Sequence, residues 1–434
     1  MSTAHVTLFH RHKARTLEWG RLISLTGGTQ IIAQGLGFAS GLFVIRLLPT
    51  QEYAFYTIAN TMLGTMTILA DAGIGTGVIS QGGKVWQDPA QLGSVMVTGL
   101  NLRKKFAIGS MLVAAPILIY LLRYHGASWI LSFLLLASLI PAFLSALSDT
   151  LLEIAPKLRQ DIMPLQRNQM AAAVARLLLT SVGLFAFPWA AAAILASGVS
   201  RGWANIRLRK ISGNYADREQ PPDPAVQKSI LTIVKKTLPT SIYYCLSGQI
   251  TIWLISIFGS TKAVGQIGAL NGFSTCMNLF TVIFGTLIVP RYARLPNRKK
   301  LLVETFLLVQ VGLILMSVAI VVMTGFFSKE LLWILGKRFS GLRTELILVA
   351  AETCVTFIST STNQMLSARG IVVPPVAMVF FALAAQFGFA FVLPVSQVVG
   401  VLWYAFFTAL TIYTVRLIYL AITFARFETT LAKT

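Results

Sequence analysis

Charge is scarce in this sequence, and acid is scarcest of all. Only 12% of the 434 residues are charged, and 15 Asp+Glu stand against 36 Lys+Arg. A soluble domain carries roughly twice that charged fraction, so a large soluble core is excluded. Cysteine is nearly absent, and Cys245, Cys276 and Cys354 all fall in apolar stretches, which argues against a disulfide framework. Histidine is confined to His5, His10 and His12 in a basic tail and His125 in a short turn. That scatter reads as a solvated tail rather than a metal site. No nucleotide cradle is found: Gly82-Gly83-Lys84 lacks the upstream glycine and the following Ser/Thr of a P-loop, so ATP is not the expected direct fuel. No Ser/His/Asp or paired-carboxylate arrangement stands at a span end, and no enzyme and no cofactor are expected.

Hydrophobic residues fill the space that charge leaves, at 55% of the chain. Crossing hydrocarbon takes about 20 mostly apolar residues. On that basis twelve spans are expected, at 22–48, 54–79, 106–123, 128–152, 169–187, 189–208, 236–258, 263–289, 301–325, 342–366, 372–393 and 397–423. The first is too long, and lacks the small-residue cleavage site, for a signal peptide. The connections alternate in charge: one side holds 28 Lys+Arg and the other six, with Arg46 and Arg176 inside spans. By the positive-inside rule both termini are expected in the cytoplasm of a multi-pass inner-membrane protein. The net charge of +21 would suggest nucleic acid in a soluble protein, but membrane flanks absorb it here, and no nucleic-acid partner is expected.

The spans divide six and six. Residues 42–64 end one span, turn through Leu48-Pro49-Thr50-Gln51-Glu52 and start another, and 211 positions later residues 253–287 repeat that arrangement. Asn60 falls on Asn271, Ala54 on Gly265 and Pro49 on Ser260. Two similar halves of one membrane protein are the usual construction of secondary transporters. The expected organisation is therefore an N-terminal six-helix lobe over 1–211, a Pro-rich cytoplasmic linker over 212–227 that reads as a flexible tether, and a C-terminal six-helix lobe over 228–434.

Ionisable residues inside spans are costly unless they face a cavity or a partner, about 2.5–3.5 kcal/mol on insertion scales. Arg46, Asp71, Asp149, Arg176 and Glu352 qualify as candidates for cargo binding or coupling. Arg46 lies near a span end, from which it could snorkel. Asp149 and Glu153, and Glu345 and Glu352, share helix faces by their spacing. Asp71 and Arg176 lie at similar depth from one surface and are expected to pair. Gly73, Gly75 and Gly77 imitate a dinucleotide fingerprint but sit within a span with no strand before them, and read as close helix packing or a softened helix.

Several of these residues carry a resemblance. Arg46-Leu47-Leu48-Pro49, Glu52-Tyr53-Ala54-x-Tyr56 and Asp71-Ala72-Gly73 resemble motifs of the polysaccharide biosynthesis (Wzx-type, O-antigen) flippases. Pro239, Ala263-Val264-Gly265, Pro290-Arg291-Tyr292-Ala293 and Leu366-Ser367-Ala368-Arg369-Gly370 are similar to the second-half pattern of the same family. Ala54 and Ile267 depart from it, standing where Gly and Tyr are common. The resemblance implies the all-α polytopic fold of the multidrug/oligosaccharidyl-lipid/polysaccharide (MOP, MATE-like) exporters, two six-helix lobes around a cavity open alternately to each side. It implies as cargo an oligosaccharide on undecaprenyl pyrophosphate, moved between leaflets with coupling to H+ or Na+. A polysaccharide polymerase and chain-length machinery are the implied protein partners. A multidrug or cation antiporter of the same superfamily and a membrane glycan polymerase or ligase are the alternatives. The enzyme is disfavoured by the lack of a large outward loop, and a non-transporting scaffold gives no reason for the six-plus-six repeat.

Overall fold

The computed structural model of the protein describes residues 28–29, 31–159, 161–293, 295–296, 298–367 and 373–431. The basic N-terminal tail with its three histidines, and the Ala368–Gly370 part of one motif, lie outside them. Among the described residues the chain is all helical, with no strand. Every expected span falls on a helix: α1 (Ile31–Leu47), α2 (Thr50–Asp71) with α3 (Ile74–Gly82), α4 (Pro89–Tyr124), α5 (Trp129–Leu152), α7 (Met163–Ala186) and α8 (Ala190–Gly213) in the first half. The second half has α9 (Pro224–Phe258), α10 (Thr261–Leu287), α12 (Lys299–Phe326), α14 (Arg343–Ser367), α15 (Pro375–Val392) and α16 (Val398–Leu431). Short helices α6 (Ile154–Leu158), α11 (Val289–Ala293) and α13 (Ser328–Leu335) lie between them.

Six of these helices are each long and apolar enough to cross a bilayer, and α2 with α3, bent by 45°, makes a seventh. The bend follows from left-handed backbone at Ala72 and Gly73, which ends one helix and restarts the next. Large apolar side chains cover the outside of the bundle, Ile130 being 83% and Phe391 89% exposed. An exterior of that kind suits lipid rather than water. This is an all-α polytopic membrane protein.

The two halves share a core at one end. On the face that carries the 48–50, 124–128 and 258–261 turns (the distal face), one continuous apolar core joins them, with Leu48, Tyr53 and Ile58 packed alongside Ile255, Val264, Leu335 and Leu346. The repeat-related helices α2 and α10 touch there, and Gly268 comes so close to Thr57 that a Cβ would collide with its side chain. Toward the opposite face the core splits: Leu92, Leu152 and Leu208 form a cluster of the first half, while Phe284, Phe306 and Phe357 form one of the second. The halves thus share one core at the distal seam, while toward the linker face α9 joins a cluster of the first half.

The 212–227 linker, expected as a flexible tether, is instead laid along α4. Asp217 N–H donates to Pro89 O (2.9 Å), Ser94 Oγ to Pro221 O (2.8 Å) and Asp223 N–H to Thr98 Oγ1 (2.9 Å). Tyr215 adds a hydrogen bond to Asp161. Gly93 makes this possible, because any Cβ there would overlap Asp217 O. Beyond the linker, Ile230 and Val234 of α9 pack among Ala72, Ile74, Val78 and Val95 of the first half.

Candidate functional site

Ionisable side chains between the helices concentrate in three places. The first is the kink after α2. Asp71 closes the end of that helix, accepts from Gly75 N–H (3.0 Å) and forms an ion pair with Arg103 of α4. Arg103 is buried and also donates to Leu147 O (2.9 Å) and Thr150 Oγ1 (2.7 Å) of α5. The expected partner was Arg176. That pairing is not formed: Arg176 makes no ion pair among the described residues, and its Nε is buried without a hydrogen bond. Equal depth on two helices does not fix which way each side chain faces around its axis, and Arg103 lies on a helix packed directly against α2.

The second is a network between α5 and α8. Asp149 Oδ2 accepts from Arg201 Nε (2.6 Å), and Asn205 donates to Asp149 and to Ser148 Oγ. Asn205 Oδ1 in turn accepts from Arg209 Nε (2.9 Å). Glu153, expected on the same face, goes to Lys157 Nζ (2.6 Å) and Gln169. Both intramembrane carboxylates of the first half are therefore neutralised by arginine.

The third lies wholly in the second half. A cavity of about 430 Å³ between α9, α14, α15 and α16 is lined by Glu352, Arg416, Tyr243, Gln386, Tyr404 and Thr408, among others. Among the described residues Glu352 accepts from hydroxyls, Thr356 Oγ1 at 2.9 Å and Thr353 Oγ1 at 3.3 Å. Arg416 donates through Nη1 to Ser359 O (2.6 Å) and Oγ (2.7 Å), and Gln386 to Ser247 Oγ (2.7 Å). The Tyr404 and Thr408 hydroxyls are buried and have no partner among the described residues. Donors and acceptors thus remain for a polar guest.

Arg46 belongs to none of these. It reaches across the distal seam, donating from Nε to Ile334 O (2.7 Å) and from Nη2 to Trp333 O (3.0 Å). Arg338 returns the contact, Nη1 to Leu48 O (2.6 Å). Each arginine thereby caps the carbonyl end of a helix in the other half. His125 makes the third crossing: Nε2 lies 2.7 Å from Ser256 O and Nδ1 3.0 Å from Thr261 Oγ1. A carbonyl can only accept, so Nε2 carries the proton and Nδ1 accepts from the threonine. Burial holds the imidazole below its ordinary pKa, the Ser256 hydrogen bond opposing that in part. Sequence reasoning placed Arg103, Arg201 and Arg416 with the membrane flanks and Arg338 and His125 in turns. The structure puts all five at the inter-helix sites.

No protein-family profile matches the chain, and no curated protein is similar to it in sequence. Solved structures are similar in fold. An inward-facing multidrug resistance MATE family transporter of the MOP superfamily superposes with a TM-score of 0.66 at 14% identity, covering 92% of this chain and 96% of the other. An outward-facing one gives 0.58 at 15% identity over 92% and 94%. A MOP superfamily transporter from Pyrococcus furiosus, described as having reversed binding-pocket polarity, gives 0.58 at 14% over 94% and 95%. The chain has the fold of the MATE transporters of the MOP superfamily.

Proposed function

We propose that the protein is an alternating-access exporter whose cargo is anionic, an oligosaccharide on undecaprenyl pyrophosphate flipped across the inner membrane. The linker face is cytoplasmic on this reading, following the 28-to-6 charge asymmetry. One observation carries the choice of cargo. Asp71 and Asp149 are each paired with an arginine, so neither of these two carboxylates within the first-half spans is left free for a cationic drug. Arg176 of α7 and Arg416 of α16 lie on membrane-spanning helices, and a guanidinium suits a phosphate. Glu352, held by hydroxyls among the described residues, is the group that would take up a coupling H+ or Na+. The motifs quoted above from both halves support the same reading. A second reading, multidrug export, is favoured by the described activity of the solved neighbours.

Deleting the gene and analysing lipid-linked intermediates by mass spectrometry separates the two. Lipid-linked repeat units should accumulate on the linker-face leaflet, while sensitivity to cationic drugs stays unchanged. Unaltered lipid intermediates with heightened drug sensitivity would establish the multidrug reading instead.

A further inference from the structure

Between the two reciprocal arginines of the distal seam lies a cavity of about 330 Å³, bounded by Ile45, Trp333 and Phe339. Its size is at the lower end of the roughly 300–1,000 Å³ of small-ligand sites. Arg46 and Arg338 both line it, one from each half, and no carboxylate among its described lining residues answers them. Elsewhere in the bundle the buried Arg103 and the partly exposed Arg201 have aspartate partners. Here the partners are three backbone carbonyls, which offer only the partial charge of helix ends, and the Trp333 ring, 5.3 Å from the Arg46 guanidinium. Each guanidinium has five N–H groups, of which protein carbonyls take two on Arg46 and one on Arg338. Two exposed cations with spare donors, converging from the two halves on one cavity, form a receptor for a dianion.

We propose that this seam cavity binds a phosphate-class anion, and that occupation holds the distal face closed. The second part follows from linkage. The two arginines come from opposite halves, so the complete site exists only while the halves are joined, and a ligand that binds the joined state alone must favour it. Its source is either a soluble phosphate or the headgroup of an anionic lipid, since the cavity is at the end of the bundle where spans meet the membrane surface. This goes beyond the cargo reading: it concerns a second anion site that regulates the gate, whatever the cavity carries.

The test uses the full-length protein in nanodiscs of zwitterionic phosphatidylcholine, with inorganic pyrophosphate as probe. Pyrophosphate should raise the thermal midpoint, and it should increase the short-distance population between spin labels at Tyr124 and Lys329. Arg46→Gln and Arg338→Gln should each weaken that response about tenfold or more, because each removes one charged donor set. Response only when phosphatidic acid replaces part of the lipid, and still lost in both variants, assigns the site to a headgroup. No response of the wild-type protein to either probe overturns the proposal. So does an undiminished response in both variants. Should a variant fail to fold, the wild-type label distances decide. Failure here leaves the lipid-intermediate experiment, and the cargo reading it tests, untouched.

Discussion

At the scale of single residues, the distal seam is held by side chains donating to carbonyls, and one of them titrates. His125 is buried neutral between the halves, with Tyr124 edge-on at 5.4 Å between ring centres. Arg123 is turned to Ala127 O and Trp129, and Lys262 follows Thr261 on α10, so no carboxylate among these neighbours favours an imidazolium. With the seam closed its pKa lies below the ordinary value, and with the seam open it returns to about 6.5. The closed state therefore keeps its full stability above about pH 6.5. It loses about 1.4 kcal/mol per unit as pH falls below that, until the closed form also protonates. Acidifying the distal side from about pH 7.5 to about 5.5 should widen label distances across the seam, and His125→Gln should abolish the dependence. An unchanged pH response in that variant would show that another group titrates. Asp71 was visible in the sequence because a carboxylate interrupts an apolar run. Its partner was not, because Arg103 adjoins Lys104 and Lys105 and looks like a membrane flank. Since α4 begins at Pro89, Arg103 lies roughly 21 Å along the helix at 1.5 Å per residue.

At the scale of elements, hydropathy located the spans but cut two of them short. The α4 and α9 helices begin 17 and 12 residues before the expected spans at 106 and 236. Apolar runs mark only the part in hydrocarbon, whereas the true starts are capping signals. Asp88-Pro89 and Asp223-Pro224 place an N-cap aspartate before a first-turn proline, and each aspartate accepts from the backbone two residues on. The same signals would have shown that the linker ends in a cap rather than hanging free. With the linker fixed to α4 and Ile230 and Val234 packed on the first half, rocking of the halves should bend α9 beyond that contact. Pro239 lacks a backbone donor, and the bend is expected there. A disulfide between Ser94→Cys and Pro221→Cys should accordingly leave export near wild type, compared before and after reduction. Export that stops on oxidation and returns on reduction would place the moving joint in the linker.

At the scale of the molecule, the 211-residue repeat has a structural meaning that counting identities could not supply. The equivalent segments do not merely resemble each other; they pack against each other, α2 on α10, at the distal seam. Gly265, the counterpart of Ala54, lies against Thr50 O and the Tyr53 ring, and the close approach at Gly268 lets the two helices nearly touch. A joint built from two equivalent helices is well placed to open as a unit, because the apolar core is fused there, whereas toward the linker face the first half is joined to α9. Alternating access then requires that this seam part in every cycle. Holding it shut is the direct test. Thr50→Cys with Gly265→Cys, joined by oxidation or a short bifunctional maleimide, should reduce export by at least about tenfold, since the distal-open state becomes inaccessible. Export should return on reduction of the disulfide, which distinguishes a locked gate from a misfolded chain. Each single cysteine variant should export normally under the same oxidant. Undiminished export from fully cross-linked protein would mean that cargo leaves by a route that never opens the α2–α10 seam, and the alternating-access reading would fail with it.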